Sequence, residues 1–157
     1  MKVLVVGKGG REHALCWRFS QSQNVWGLFC ASGNPGIART ATQVDIAPID
    51  IQGLAAFAEA QKIDLTVIGP EDPLAAGIVD EFDRRGLPIF GPTRAATMLE
   101  ASKSFAKAIM REAGVSTAQC EIFDDAEAAR RYVMDSGRPL VVKADGLALG
   151  KGVTVCD

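Results

Sequence analysis

The sequence predicts an α/β fold in which a parallel sheet carries helices on both faces. Three observations lead there. Lys2-Val3-Leu4-Val5-Val6 is an unbroken, mostly β-branched apolar run, the pattern of a strand covered on both sides. Further runs of this kind alternate with apolar residues at helical spacing, and such alternation builds a parallel sheet. Glycine marks the strand exits, at Gly7-Lys8-Gly9-Gly10, Gly33-Asn34-Pro35-Gly36, Gly69-Pro70 and Gly91-Pro92, and these residues turn a chain sharply.

A helix over Arg11–Gln21 places Leu15 and Phe19 on one face. Val25–Ala31 reads as the second strand, and Ser32-Gly33-Asn34-Pro35-Gly36 as loop. Val44–Ile46 is a short strand; Leu54, Phe57 and Ala58 mark a helix ending near Lys62. Asp64–Gly69 is the third clear strand. Leu74, Ile78 and Phe82 predict one continuous helix, with Asp80 and Arg84 paired on its outer side and Gly86 as its stop. Leu87–Phe90 is a strand, and Thr93 caps the helix that follows. Residues 1–100 are therefore expected to form a Rossmann-like domain.

After Glu100 the rhythm changes. Ser102 caps a helix containing Phe105, Ile109 and Met110, ended by Gly114. Asp124 and Glu127 are expected to form a capping box for a helix through Met134, stopped at Gly137. Pro139–Lys143 and Val153–Cys156 are strands joined by a loop with Gly146, Gly150, Lys151 and Gly152. A boundary near Leu99–Ser102 leaves residues 101–157 as a second unit.

Composition narrows the function. A chain of 157 residues, 48% hydrophobic and 23% charged, has the make-up of a soluble globular protein. A net charge of −2 offers no attraction to nucleic acid. Met1–Gly7 is too short for an export signal and is followed by Lys8, Arg11 and Glu12. No stretch nears the roughly 18 apolar residues of a membrane span. Neither nucleic acid nor a membrane is expected as partner, and the location is expected to be cytoplasmic. Cys16, Cys30, Cys120 and Cys156 lack the paired spacing of a zinc site; Cys16 and Cys30 read as core residues.

Val141–Val153 carries the strongest functional signal. Read as a buried strand, Val141-Val142-Lys143 ends in a cation that needs an anion to offset its desolvation. Glycines let backbone N–H groups face an anion, and ammonium groups supply countercharge, so nucleotide phosphates are the expected ligand. A mobile hairpin with solubilising lysines is the alternative. Gly7–His13 opens the first helix, where a phosphate can bind. A dinucleotide site does not fit: Glu12 stands where a third glycine belongs, and Phe29-Cys30-Ala31-Ser32 ends without a carboxylate. Gly33–Gly36 and Gly69–Pro73 fall on the same carboxyl edge of the sheet, where ligands sit. His13, the sole histidine, reads as a structural hydrogen-bonding residue. Lys107 reads as a solvated surface lysine. Lys103, at a helix start, is disfavoured by the dipole and calls for an anionic partner.

Together, Gly7-Lys8-Gly9-Gly10-Arg11-Glu12-His13-Ala14, Gly33-Asn34-Pro35-Gly36, Gly69-Pro70-Glu71, Gly91-Pro92-Thr93, Ser102-Lys103 with Lys107, and Lys143-Ala144-Asp145-Gly146-Leu147-Ala148 with Gly150-Lys151-Gly152-Val153 resemble the N-terminal part of the phosphoribosylamine–glycine ligase family, ATP-grasp enzymes of purine biosynthesis. Lys8 and Leu149 stand where that family has smaller residues. The resemblance implies a Rossmann-like pre-ATP-grasp domain followed by the truncated start of an ATP-grasp domain. It implies a reaction in which ATP phosphorylates glycine and the amine of 5-phosphoribosylamine attacks the acyl phosphate. Phosphoribosylamine binding would fall on Gly9, Gly10, Arg11, Glu12, Asn34, Gly36 and Glu71. ATP binding would fall on Lys103, Lys143, Gly146, Gly150, Lys151 and Gly152, the glycine loop acting as a lid. In that family the Mg2+ ligands and adenine-clamping strands belong to a C-terminal part beyond residue 157. The resemblance therefore implies no metal ligand here, no ligase activity from this chain alone, and the missing part as partner. Three alternatives remain: a non-catalytic sugar-phosphate or nucleotide-binding module, part of another ATP-grasp carboxylate–amine ligase, and an ordinary nicotinamide-dependent Rossmann protein.

Overall fold

β1 (Lys2–Gly7) lies at the centre of a five-stranded sheet in a computed structural model of the chain, which describes residues 1–148 and 151–156. It pairs in parallel with β2 (Gly27–Ser32) on one side and β4 (Leu65–Ile68) on the other. β3 (Thr42–Val44) extends the sheet beside β2, and β5 (Ile89–Phe90) beside β4. The order is β3-β2-β1-β4-β5, all parallel. Successive strand residues face opposite sides, so Val3 and Val5 pack with Cys16, Cys30, Ile37 and Val67, while Leu4 and Val6 pack with Leu54, Ala58, Ile78 and Phe82. That two-sided burial is why β1 reads as unbroken apolar sequence. α1 (Gly10–Ser20) contributes Cys16 to the first face; α2 (Ile51–Gln61) and α4 (Ile78–Arg84) cover the second. The chain divides into two compact units, Met1–Thr97 and Met98–Asp157.

Three expectations for the first unit are corrected. The single helix through Leu74, Ile78 and Phe82 is two, α3 (Glu71–Ala75) and α4, because Gly77 adopts φ +92° between them. A left-handed residue ends a helix, yet the four-residue apolar spacing runs on through the break. Arg84 pairs with Glu81, at 2.8 Å, and not with Asp80, whose carboxylate accepts the Arg94 N–H at 2.8 Å. With α4 starting only at Ile78, Asp80 lies in its first turn and reaches the start of α5 (Arg94–Ala101). The strand expected at Val44–Ile46 is β3, two residues earlier. An edge strand needs a ladder more than apolar side chains: Thr42 and Gln43 pair with Phe29 and Cys30, while Ile46 packs on the core after the strand ends.

The second unit contains α6 (Lys103–Glu112), α7 (Ala126–Asp135) and an antiparallel hairpin of β6 (Leu140–Lys143) and β7 (Val153–Cys156). Ser102 caps α6, accepting the Phe105 N–H at 3.1 Å. The cap of α7 is Asp125, which accepts the Ala128 N–H at 2.8 Å, and not Asp124; the helix starts one residue later, and its acceptor moves with it. β6 is not the buried strand expected. Val141 and Val155 are 52% and 65% exposed, since a two-stranded hairpin has no further strand to cover it.

Phe82 is fully buried, and Phe82→Ala is expected to lower the stability of the first unit by about 3–5 kcal/mol in denaturant unfolding. Limited proteolysis is expected to cut residues 102–157 before residues 1–93, because the exposed hairpin protects its backbone poorly; equal resistance of both stretches would contradict this.

Candidate functional site

The sheet order sends the connections after β1 and β4 to opposite sides. Loops that part in this way leave a crevice at the carboxyl edge, the usual ligand site of open α/β sheets. Gly7, at φ +127°, turns the chain out of β1. Glu12, in the first turn of α1, then folds back so that its carboxylate accepts the Gly9 N–H at 2.5 Å. This is half of a capping box; glycine has no side chain to supply the other half. Glu12 is only 4% exposed. It lies over Gly7 and Gly69, where any Cβ would overlap it. These two glycines thus make room for a carboxylate of the chain itself.

Arg11 extends from the same turn to the start of α3, its Nη1 2.7 Å from Glu71 Oε1. α1 follows β1 and α3 follows β4, so the ion pair spans the crevice. The hydrogen bond from Arg11, helped by the backbone N–H of Glu71 itself, lowers the Glu71 carboxyl below its ordinary 4.5. Asn34 ties in the loop after β2. Its Oδ1 accepts the Gly36 and Ile37 N–H groups at 2.9 and 3.0 Å, and its Nδ2 donates to the Lys8 carbonyl at 2.9 Å. Gly36 admits the His13 ring against its backbone; the ring makes no hydrogen bond among the described ones, while the His13 N–H donates to the Gly9 carbonyl at 3.1 Å. At the end of β2 Ser32 donates to the Ile46 carbonyl at 3.3 Å, in the place where a dinucleotide site has a carboxylate.

In the second unit the lysine–glycine loop leaves β6 beside the start of α6. Asp145 accepts the Lys103 N–H at 2.6 Å and the Ser104 N–H at 3.3 Å, and takes the hydroxyls of Ser102 and Ser104 as well. The Lys103 Nζ donates to the Gly146 carbonyl at 2.8 Å. The Ser104 hydroxyl, then the backbone N–H groups, bring the Asp145 carboxyl down to about 2. The anion that the position of Lys103 calls for is thus internal.

Gly9, Gly10, Arg11, Glu12, Asn34, Gly36 and Glu71 all fall on the carboxyl edge of the first unit. Gly10 leaves open space around its Cα. Lys103, Lys143, Gly146, Lys151 and Gly152 belong to the second unit, where Gly146 and Gly152 have φ +96° and +71°; Leu149 and Gly150 lie outside the described residues. Lys143 and Lys151 are exposed, so the desolvation argument for Lys143 does not hold. Lys107 is no solvated lysine either: its ammonium donates to Thr117 Oγ1 and to the Ala118 carbonyl at 2.7 and 2.6 Å. Two residues hold the chain itself, a role the sequence does not announce: Glu12, expected to meet the ligand, and Asp145. Glu12 was visible as Gly9-x-x-Glu12; Asp145 acts on a helix 42 residues away, which no local pattern reveals. Among the described residues no three His, Cys, Asp or Glu cluster as a metal site, and no helix is long and apolar enough to cross a membrane.

The phosphoribosylglycinamide synthetase N domain matches residues 1–100, and the ATP-grasp (A) domain of the same synthetase matches residues 101–157. The chain belongs to the phosphoribosylglycinamide synthetase family. It is 52% identical over 157 residues to a phosphoribosylamine–glycine ligase of Nostoc, covering 99% of this chain and 37% of that relative. The chain thus spans little more than a third of the length of the curated relatives it matches. The crystal structure of phosphoribosylamine–glycine ligase from Thermotoga maritima aligns with TM-score 0.75 and 31% identity, over 100% of this chain and 36% of that one. The biotin carboxylase domain of Hydrogenobacter thermophilus 2-oxoglutarate carboxylase aligns with TM-score 0.76 over 99% of this chain and 37% of that one. At 20% identity it shares the fold alone. The family's synthetases are ATP-grasp ligases, and the α/β architecture expected from the sequence is the one found.

The lowered carboxyl of Glu71 fixes the sign of a pH effect. Its pairing contributes above the ordinary glutamate value and is lost as pH falls through the lowered one. With Arg11 71% exposed, the contribution stays below about 1 kcal/mol. In Arg11→Ala the Glu71 carboxyl is expected to titrate at a higher pH than in the parent, read by carbon NMR; identical midpoints would show that the pair does not form.

Proposed function

We propose that the chain forms the N-terminal part of a cytoplasmic ATP-dependent ligase that joins glycine to 5-phosphoribosylamine, giving glycinamide ribonucleotide. The observation that carries this reading is the pair of family matches, N domain then ATP-grasp domain, that follow one another over residues 1–100 and 101–157. The crevice of the first unit suits phosphoribosylamine. Arg11 offers a guanidinium to the phosphate, as a planar fork of donors does, and Glu71 can accept ribose hydroxyls. Their ion pair is exposed, so each partner can exchange the other for a substrate group at small cost. Gly10, with open space around it, lets a ligand approach the backbone, while Glu12 and Asn34 hold the loops of Gly9 and Gly36 in place.

ATP supplies the phosphoryl group that activates the glycine carboxylate. The residue types present fit its phosphate end: Lys143 and Lys151 flank the glycine loop, Lys103 at the start of α6 is tied to it through the Gly146 carbonyl, and Gly146 has open space around it. Folding such a loop over the phosphates would exclude water from a reactive acyl phosphate. The described residues do not fit Mg2+. Its ligands are assigned to the further length of the relatives, which acts as partner to this chain.

Calorimetry tests the reading. Ribose 5-phosphate is expected to bind this chain and to lose about tenfold or more in affinity in Arg11→Ala, the scale of one charge-assisted hydrogen bond. Binding of NAD in its place would overturn the proposal. Glycine-dependent ADP release by this chain alone would show that the metal and adenine contacts are not where the reading puts them.

A further inference from the structure

The first turn of α6 is held by a side chain from the other end of its unit. Asp145 Oδ1 faces three backbone donors, the Lys103, Ser104 and Gly146 N–H groups, at 2.6, 3.3 and 3.1 Å. Its Oδ2 faces two hydroxyls, Ser102 at 3.1 Å and Ser104 at 2.5 Å. Ser102 in turn accepts the Phe105 N–H. The next residue, Gly146, receives the Lys103 ammonium on its carbonyl at 2.8 Å. Two adjacent residues of the loop therefore grip Lys103 at both ends, its backbone N–H and its ammonium. A carboxylate at a helix start is favoured by the dipole, whereas a lysine there is not, so Asp145 also offsets the placement of Lys103. The loop exit can follow this path because Gly146 takes φ +96°.

We infer that Asp145 is a positioning residue that acts through Lys103: it locks the start of α6 to the exit of β6 and so sets where the Lys103 ammonium lies. The consequence for ATP rests on the reading of Lys103 as a phosphate contact; the positioning itself does not. Lys143 ends the same strand two residues before Asp145. The lowered carboxyl of Asp145 agrees with an anion surrounded by donors.

Two readouts without nucleotide test it on this chain: amide hydrogen exchange by NMR, and the rate at which acetic anhydride acetylates Lys103, followed by mass spectrometry. In Asp145→Ala the Lys103 and Ser104 amides are expected to exchange about tenfold or more faster, since hydrogen bonds to charged groups are lost. Lys103 acetylation should rise several-fold, to about the rate of an exposed lysine once its carbonyl partner is freed. Amides of β1 and α1 should not change. Asp145→Asn keeps an acceptor for the amides and guards against a variant that fails to fold. Neutral hydrogen bonds are about half as strong, so both readouts should shift in the same direction by less. Exchange and acetylation within about twofold of the parent in Asp145→Asn, or in a folded Asp145→Ala, would overturn the lock. If both shift, the lock stands whatever ATP does to Lys103 acetylation. In the full-length relative, slowing of Lys103 acetylation by ATP, but not of the remaining lysines in its Lys103→Ala variant, would separately support the ATP reading; no slowing of Lys103 there would overturn it.

Discussion

Loops that leave a parallel sheet in opposite directions expose backbone donors and leave a gap, and here the Glu12 carboxylate lies against the strand ends that border it. It meets the Gly9 N–H and lies over Gly7 and Gly69 at the ends of β1 and β4. Removing its oxygen would leave a donor unmet at a cost of about 1–3 kcal/mol. A side chain on either glycine would collide with it. The entry of α1 therefore follows from Glu12. So does the position of Arg11, one residue earlier, and with it the bridge to Glu71 on the far side of the crevice.

Asp145 does comparable work in the second unit. Both carboxylates occupy the start of a helix beside a glycine-rich turn, one from three residues away and one from 42. This bears on how phosphate can be recognised. A helix start attracts anions through its N–H groups and dipole. At α6 those donors already face a carboxylate. On the proposed function, a phosphate drawn to this loop system would be met by ammonium groups instead. Charge is then placed by flexible stems, and whatever fixes those stems decides the geometry.

The order of strands and helices was legible because burial on both faces writes itself into β1, and because Gly33, Gly86, Gly114 and Gly137 all take the positive φ that their turns require. The break at Gly77 was not legible, since Leu74 and Ile78 keep helical spacing across it. Glu81 rather than Asp80 meets Arg84 because the helix begins late, and spacing alone cannot tell i,i+3 from i,i+4 partners. On the candidate site, residue types and their edge of the sheet could be read from the turns. Which of them contact one another could not. Asn34 spends its Oδ1 on two backbone donors, and Glu12 spends its carboxylate on Gly9, choices made by loop geometry that exists only after folding.

The exposure of β6 changes the meaning of Lys143. A lysine at the end of a buried strand would need an anion nearby; an exposed one does not. Its significance now comes from the hairpin that carries it. Two strands in water are marginal on their own, and Val141 and Val155 stand largely exposed. The loop end of this hairpin is held by its own backbone bonds, Ala144 N–H to the Gly152 carbonyl and Lys151 N–H to the Ala148 carbonyl, and by those of Asp145 and Gly146 with the start of α6. The bonds to α6 thus tie a weak piece of sheet to the helix start that carries Lys103. The stability of the hairpin and the placement of Lys103 should therefore change together, so a variant that loosens one should not leave the other intact.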